Sequence, residues 1–368
     1  MPRVLVDLLF FTGKRGGTET YVREVYSRLG QQAPARGWEL LGFASRELAE
    51  RGADWFPGRI VNSGISSENR ARWAWGEVAV VARAARRLGA DLVHAPANFG
   101  PVRSSVPLLL TLHDLLAFEH PEWLPTKGPA AWSTRWLIKR AAGNARRIMT
   151  VSEDAKGSIV RRFGRPPEEV EVVPLAGGAA PVQQGSRQPL TLFSLGNRMP
   201  HKNFPRLVEA LALIPEQRRP RLTISGSHGD DPLRPVVERT GMGPWVRLEG
   251  WLPSAEVERL YAESAAVVLP TMFEGFGLPV LEAMARGCPV ICSDIPVLRE
   301  VAGPAAAYFD PREPAAIARV LERTLHDPAL LAQLAEAGRG RASTFSWDRT
   351  AGQVLEAFEA TLGSGARA

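Results

Sequence analysis

Two glutamates eight residues apart, Glu274 and Glu282, are the side chains of this 368-residue chain whose spacing most clearly suggests chemistry. An apolar run precedes Glu274, a loop with Gly275 and Gly277 holds it, and helix-forming residues surround Glu282. Apolar β-branched runs favour strands and Leu-Glu-Ala-Met-Ala favours helix, so residues 267–294 are predicted to form strand, loop, helix and strand. Glu274 is therefore expected at the carboxyl end of a parallel strand, and Glu282 in the first turn of the next helix.

This placement indicates a binding site for a ligand with both phosphate and hydroxyl groups. Ligands of open α/β sheets bind outside the carboxyl ends of strands, where the free N–H groups of a helix start favour phosphate. Gly275 and Gly277 allow close approach of a ligand to the backbone. Two carboxylates would repel a phosphate but suit neutral sugar hydroxyls. A nucleotide sugar carries both kinds of group.

The remainder of the chain alternates strand and helix patterns in two halves, which predicts an α/β protein with parallel sheets. A stretch rich in Gly, Pro, Gln and Ser at residues 175–189 is the best candidate for a linker, with a boundary near residue 185. Neither half contains the G-x-G-x-x-G dinucleotide fingerprint, which argues against an NAD-dependent enzyme. Asn203 is expected to cap the helix that follows it.

The composition, 45% hydrophobic and 23% charged residues, is that of a globular protein with two sizeable cores. No apolar run reaches the 18 or so residues needed to cross a bilayer, and no cleavable leader is recognised, so a cytoplasmic location is expected. Cys288 and Cys292 are expected to be buried thiols, because their spacing suits neither a disulfide nor a metal site.

The net charge of +6 comes from the first half, where residues 1–185 hold 25 Lys and Arg against 18 Asp and Glu. Residues 132–162 carry eight of these cations and two acids, with Trp132 and Trp136 interleaved. Such a basic amphipathic helix can lie on an anionic membrane surface. The alternative is an ordinary helix with its aromatic residues in the core. No nucleic acid partner is expected, because no recognised nucleic-acid-binding motif accompanies the basic stretch.

The string EGFGLPVLEAMA from Glu274 onward resembles the E-x7-E signature of the retaining glycosyltransferases of family 4, in the branch of mannosyl- and rhamnosyltransferases. The resemblance implies the GT-B fold, in which two Rossmann-like domains face each other across a cleft and a C-terminal helix crosses back to the first. It implies an acceptor domain at residues 1–185, a nucleotide-sugar domain at 186–345 and a returning helix at 346–368.

In the second domain, the resemblance assigns donor contacts through the string SLGNRMPHKNF and the two-glutamate motif. Lys202 would meet the diphosphate, with Arg198 as a second cation, because Asn197 and His201 occupy slots where relatives place arginine. Glu274 would hold the donor sugar and Glu282 the ribose. The remaining donor contacts implied by the resemblance are Gly250, Trp251, Phe276, Gly277 and Leu278. For Trp251 an ordinary core position is an equal alternative.

In the first domain, the resemblance places Gly16 and Gly17 close to the diphosphate or the acceptor. His113 matches a histidine that relatives place against the donor sugar, although a structural core histidine is the alternative. Asp114 and Glu153 would face the acceptor, with Ser152 mainly a helix cap. The implied catalytic residues are His113, Lys202 and Glu274.

The implied reaction is metal-independent transfer of a hexose or deoxyhexose, with retained configuration, from a nucleoside-diphosphate sugar to a glycan, glycolipid or small-molecule acceptor. The donor is a co-substrate, so neither a cofactor nor a metal is expected. Polysaccharide biosynthesis is the expected context, with possible attachment to the inner face of the membrane. Two alternatives remain: a nucleotide-sugar epimerase with the same two-domain plan, and a non-catalytic nucleotide-sugar-binding protein.

Overall fold

The computed structural model describes residues 1–13, 16–124, 127–178 and 187–363. Its contacts divide the chain into two compact units, which we call unit 1 (Met1–Leu175 with Ser346–Ala368) and unit 2 (Ala176–Phe345). The division falls between Leu175 and Ala176, before the predicted boundary near residue 185. Most of the predicted linker, residues 179–186, lies outside the described residues.

Unit 1 is built on a seven-stranded parallel sheet with the strand order β3-β2-β1-β4-β5-β6-β7. Its strands are β1 Arg3–Leu8, β2 Glu39–Ala44, β3 Arg59–Asn62, β4 Leu92–Ala95, β5 Leu108–Thr111, β6 Arg147–Thr150 and β7 Val170–Val172. Its first seven helices are α1 Gly17–Ala35, α2 Arg46–Arg51, α3 Arg70–Trp75, α4 Val81–Arg87, α5 Leu116–Glu119, α6 Gly128–Asn144 and α7 Glu153–Phe163. A π-helical turn, Gly76–Val80, joins α3 to α4.

Unit 2 is built on a six-stranded parallel sheet with the strand order β10-β9-β8-β11-β12-β13. Its strands are β8 Gln188–Leu195, β9 Arg221–Ser227, β10 Val246–Gly250, β11 Ser264–Leu269, β12 Val290–Ser293 and β13 Ala307–Phe309. Its helices are α8 Phe204–Leu213, α9 Arg234–Arg239, α10 Ser254–Glu263, α11 Leu278–Ala285, α12 Pro296–Ala302, α13 Pro314–Leu325 and α14 Pro328–Ala342. Short 3-10 turns occur in unit 1 at Pro121–Trp123 and Pro167–Glu169, and in unit 2 at Pro200–Lys202, Glu216–Arg218 and Gly303–Ala305.

The central strands are mainly apolar and are buried along their whole length, because both faces of each sheet are covered. All six residues of β11 are buried, as are all four of β4, β5 and β12. Continuous apolar runs of this kind are typical of parallel sheets with helices on both faces. The predicted alternation of strands and helices, and with it the α/β class, is therefore confirmed. The strands missed from the sequence are edge strands β3, β7 and β13, which are only three or four residues long.

The basic aromatic part of residues 132–162 is confined to one helix, and the remainder of the stretch forms a strand and a second helix, as the strand predicted at residues 148–151 requires. The stretch divides into α6, strand β6 and α7. Within α6, Leu137 and Ile138 are buried, whereas Trp132 and Trp136 are exposed. The alternative that placed these two aromatic residues in the core is therefore wrong.

The last helix, α15 Trp347–Gly363, packs in unit 1 although it follows unit 2 in the chain. It packs mainly along α1, and its side chains Val354, Leu355 and Phe358 are fully buried. The Phe358 ring lies 5.6 Å from that of Trp38, between ring centroids.

Two carboxyl groups face each other in the interior of unit 1. Asp7 near the end of β1 and Glu77 in the π-helical turn are each only 2% exposed, and the two carboxyl groups interact electrostatically. Burial raises the pKa of both groups, and for Glu77 the charge of Asp7 raises it further. The pair therefore favours a protonated state near neutral pH.

This pair predicts how a Glu77→Gln variant responds to pH. A carboxyl pKa raised by folding contributes stability that is present below the unfolded-state pKa and is lost as the pH rises toward the folded-state pKa. Glutamine keeps a donor but cannot ionise. Urea unfolding should therefore show that the stability of the variant relative to wild type improves by about 1 kcal/mol or more between pH 5 and pH 8. The exposed Glu50→Gln variant is the control, and parallel pH curves for Glu77→Gln and wild type would contradict this expectation.

Candidate active site

Lys202 and Glu274 form an ion pair at the carboxyl edge of the unit 2 sheet. Lys202 ends the 3-10 turn that follows β8, and Glu274 lies in the loop after the neighbouring strand β11. The Lys202 Nζ lies 2.7 Å from the Glu274 Oε1, and the side chains are only 18% and 12% exposed. The electrostatic attraction between the two charges is stronger here than at an exposed surface, and the removal of water from both groups offsets part of it. Two residues predicted to bind different parts of a donor thus neutralise each other.

Hydrogen bonds fix the two loops that carry this pair. The backbone carbonyl of His201 accepts from the Thr271 hydroxyl at 3.1 Å and from the Met272 N–H at 2.7 Å. The Asn203 side chain donates to the Pro270 carbonyl at 2.9 Å. Asn203 therefore does not cap helix α8 through its side chain, contrary to expectation, because that side chain links the two loops.

Helix α11 begins beside Glu274 with free backbone donors. No described residue accepts a hydrogen bond from the N–H of Gly277 or of Leu278. Gly277 has a φ of +91°, and a Cβ there would lie 2.4 Å from Leu298, so only glycine suits this turn. The Phe276 side chain is buried and packs edge-on against Phe345. The arrangement presents N–H groups at the positive end of a helix, which favours an anion.

Glu282 lies one helical turn beyond these donors and is held by a buried tyrosine. The Tyr261 hydroxyl donates to the Glu282 Oε2 at 2.9 Å. Burial and then the Glu282 charge raise the pKa of Tyr261, so the tyrosine stays protonated and acts as a donor. This bond fixes the orientation of the carboxylate.

Trp251 forms a flat aromatic surface at the same edge of the sheet. It follows β10, is 47% exposed and stacks on His228, which follows β9. The ring centroids are 5.4 Å apart and the planes differ by 11°. The core alternative for Trp251 is therefore wrong. A Cβ on Gly250 would meet only the Ser227 carbonyl at an ordinary 3.7 Å, so described packing does not require glycine there. His228 was missed, although an aromatic residue just beyond a predicted strand could have indicated it.

Arg198, which was predicted as a second cation for the diphosphate, is paired with a buried carboxylate. Its guanidinium bonds Asp231 at 2.8 Å, and both side chains are only 6% exposed. Its remaining donors bind carbonyls of Gly196, Ser225 and Ile224. A phosphate could gain this guanidinium only by breaking a buried ion pair, which is costly. We therefore leave Arg198 out of the phosphate contacts.

His113 in unit 1 is neutral and rigidly placed. Its Nε2 lies 2.8 Å from the Pro96 carbonyl, which can only accept, so the ring proton is on Nε2. Its backbone N–H donates to the Asn98 side chain at 2.6 Å, and its ring packs edge-on against Tyr21. Burial lowers the pKa of His113 to about 4, an effect partly offset by the hydrogen bond to Pro96. The Nδ1 is thus available as an acceptor at neutral pH.

The other predicted residues of unit 1 lie in loops or at helix starts that follow strands. A Cβ on Gly16 or Gly17 would meet no described atom within 4 Å, so described packing does not require glycine at either position. Asp114 accepts from the Leu116 N–H at 2.9 Å, and Glu153 is exposed in the first turn of α7. Ser152 caps α7, as expected. The predicted ligand contacts of Gly16, Gly17, Asp114 and Glu153 remain predictions.

The described residues contain no group of three or more His, Cys, Asp or Glu side chains placed to hold a metal ion. Likewise, none of the described helices is both long and apolar enough to traverse a bilayer.

Comparison with known proteins identifies the family. Residues 15–176 match the family model described as Glycosyltransferase Family 4, and residues 181–341 match Glycosyl transferases group 1. O-antigen chain mannosyltransferase B of Escherichia coli is 31% identical over 284 residues, which cover 73% of this chain and 74% of that protein. The chain belongs to glycosyltransferase family 4. This family 4 glycosyltransferase is also 27% identical over 301 residues to the MMP alpha-(1->4)-mannosyltransferase of Mycolicibacterium hassiacum, covering 76% and 72% of the two chains.

Solved structures show that the glycosyltransferase has the GT-B fold that was predicted. Sucrose-phosphate synthase from Thermosynechococcus elongatus matches with a TM-score of 0.76 at 20% identity, covering 99% of this chain and 100% of that one. Anabaena Alr3699/HepE in complex with UDP-glucose matches with a TM-score of 0.73 at 18% identity, covering 98% and 100%. At these identities the likeness concerns the fold alone.

Proposed function

We propose that this glycosyltransferase moves a hexose or deoxyhexose from a nucleoside-diphosphate sugar to a hydroxyl of a glycan, glycolipid or small-molecule acceptor, with retention of configuration. The observation that carries the proposal is the Lys202–Glu274 pair beside the free N–H groups of α11. A cation and helix donors suit a diphosphate, and a carboxylate next to them suits sugar hydroxyls. One ligand that carries both groups in this order is a nucleotide sugar.

The remaining parts of the donor are assigned to the same edge of unit 2. We propose that Glu282, fixed by Tyr261, accepts from the ribose hydroxyls, and that Trp251 with His228 lies against the base. From the family resemblance, we propose that the Nδ1 of His113 accepts from a hydroxyl of the donor sugar. Mannosyltransferases among the relatives and a UDP-glucose complex among the similar structures support a donor of this class.

In the proposed reaction, the bond between the anomeric carbon and the diphosphate oxygen breaks while the acceptor oxygen bonds that carbon from the same face. The acceptor proton passes to the departing diphosphate. Charge grows on the leaving oxygen, and Lys202 with the N–H groups of Gly277 and Leu278 stabilises it. Catalysis then depends mainly on positioning and electrostatics, so we propose that no metal is needed. A cytoplasmic location remains part of the proposal.

The test is incubation with a panel of nucleotide sugars, beginning with GDP-mannose, with chelator added to one half of the samples. We expect release of nucleoside diphosphate, formation of a product with the donor's anomeric configuration by NMR, and equal rates with and without chelator. Inverted product would disprove retention, and loss of turnover with chelator would disprove metal independence. Interconversion of the nucleotide sugar without an acceptor would indicate the epimerase alternative.

A further inference from the structure

Unit 1 exposes large apolar side chains on two helical segments. Besides Met1, the described residues of unit 1 that do so are Trp75 (58% exposed), Val78 (38%), Trp132 (61%) and Trp136 (37%). The first two lie in the segment from α3 through the π-helical turn, and the other two in α6. Exposed indoles are costly in water, so their concentration on two helices indicates a surface that another molecule covers.

Both segments cover the same face of the unit 1 sheet. The inward side chains of α4, which continues the first segment, and those of α6 belong to one hydrophobic cluster with β1, β4 and β5. Examples are Ala85 of α4, Ile138 of α6 and Val93 of β4. Since the inward surfaces of these helices share one core, their outward surfaces are on the same side of unit 1. We call these outward surfaces the tryptophan face.

Aromatic and basic side chains share the outward side of α6. Trp132, Trp136, Lys139 and Arg140 are all exposed and are spaced for one side of a helix. The two indoles lie 6.4 Å apart between ring centroids at 22°, and the Arg140 guanidinium lies 6.0 Å from the Trp136 ring. Indoles beside basic groups are typical of the water interface of a bilayer.

The exposed charges within the two chain segments that carry the tryptophan face have a single sign. Residues 69–87 contain five arginines and one acid, the buried Glu77, and residues 127–147 contain six Lys and Arg and no acid. Each basic residue near an anionic membrane surface contributes about 1 kcal/mol of attraction. Apolar anchors together with a dense cationic surround are the combination that gives stable peripheral binding.

We propose that unit 1 docks on an anionic phospholipid bilayer through the tryptophan face, with the indoles in the headgroup region and the basic side chains on the lipid phosphates. This inference concerns binding alone and does not depend on the proposed transfer reaction. Trp75 and Val78 extend the surface beyond residues 132–162, in which the sequence had indicated a basic aromatic helix.

The test is flotation of the full chain with vesicles of phosphatidylcholine alone or mixed with phosphatidylglycerol. We expect binding to the mixed vesicles, weakened by added salt. The Trp132→Ala/Trp136→Ala variant should lower the partition coefficient about tenfold or more, and Lys139→Glu/Arg140→Glu should lower it similarly. Matched controls in unit 2 are Leu213→Ala, an exposed apolar residue, and Arg239→Glu, an exposed cation.

Circular dichroism and the thermal midpoint establish that each variant is folded. Binding of wild type to neutral and mixed vesicles alike, binding to neither, or wild-type binding by both face variants would overturn the proposal. A short DNA or RNA duplex provides the remaining comparison. If the wild-type chain binds the duplex but not the vesicles, and the face variants lose duplex binding, the partner of the tryptophan face is a nucleic acid and not a bilayer.

Discussion

Replacement of Lys202 by alanine is expected to lower kcat/KM for sugar transfer about 10²–10³-fold. Lys202 is the cation next to the start of α11, and in the proposed reaction it stabilises the charge that grows on the departing diphosphate. Loss of one such preorganised group typically raises the barrier by about 2.7–4 kcal/mol. The measurement is steady-state transfer with the donor identified by the nucleotide-sugar panel.

Removal of Lys202 also leaves Glu274 without its ion-pair partner, so stability and catalysis must be separated. A Lys202→Ala/Glu274→Gln variant has no unpaired carboxylate and is expected to fold as wild type does, yet to remain inactive. Arg239→Ala, which breaks an exposed pair with Glu209 in the same unit, is the control and should keep normal turnover. Near-normal transfer by a folded Lys202→Ala variant would remove Lys202 from the mechanism.

Replacement of Glu274 by glutamine is expected to slow sugar transfer without weakening the binding of the free nucleoside diphosphate. Transfer should fall about 10–100-fold, because a hydrogen bond to a charged group contributes about 1.5–3 kcal/mol. Binding of the free nucleoside diphosphate should be unchanged or tighter, because Lys202 is no longer held by a carboxylate. Calorimetric titration of the variant and wild type with the nucleoside diphosphate measures the second effect.

The control for Glu274→Gln is Glu209→Gln, which removes an exposed carboxylate of unit 2 that is paired only at the surface. Sugar transfer and the binding of the nucleoside diphosphate should both be normal in that variant. If the nucleoside diphosphate binds Glu274→Gln more weakly than wild type, Glu274 supports the phosphate site rather than the sugar site, and its assignment fails.

The sequence predicted the central strands and the main helices because their apolar patterns are continuous and local. Lys202 and Glu274 could each be identified from short motifs, but their direct contact could not. The two residues are far apart in the chain, and only the adjacency of β8 and β11 brings them together. Edge strand β13 escaped prediction because three residues carry too little periodicity.

Arg198 shows the limit of reasoning from motif position. Its closeness in sequence to Lys202 suggested a shared ligand, whereas the partner that binds it, Asp231, follows a different strand. Nothing local to Arg198 indicates that pairing. The orientation of α6 was more accessible, since the spacing of Trp132, Trp136 and Arg140 already places them on one side of a helix.

The position of α15 has a consequence for how the protein forms during synthesis. Unit 1 includes segments on both sides of unit 2 in the chain, because α15 packs with the part of unit 1 that precedes unit 2. Until α15 leaves the ribosome, the surface that receives Phe358 and Leu355 stays uncovered, whereas every residue of unit 2 has already been made. Completion of unit 1 therefore waits for α15, and until then the preceding part of unit 1 exposes an apolar surface of the kind that chaperones bind.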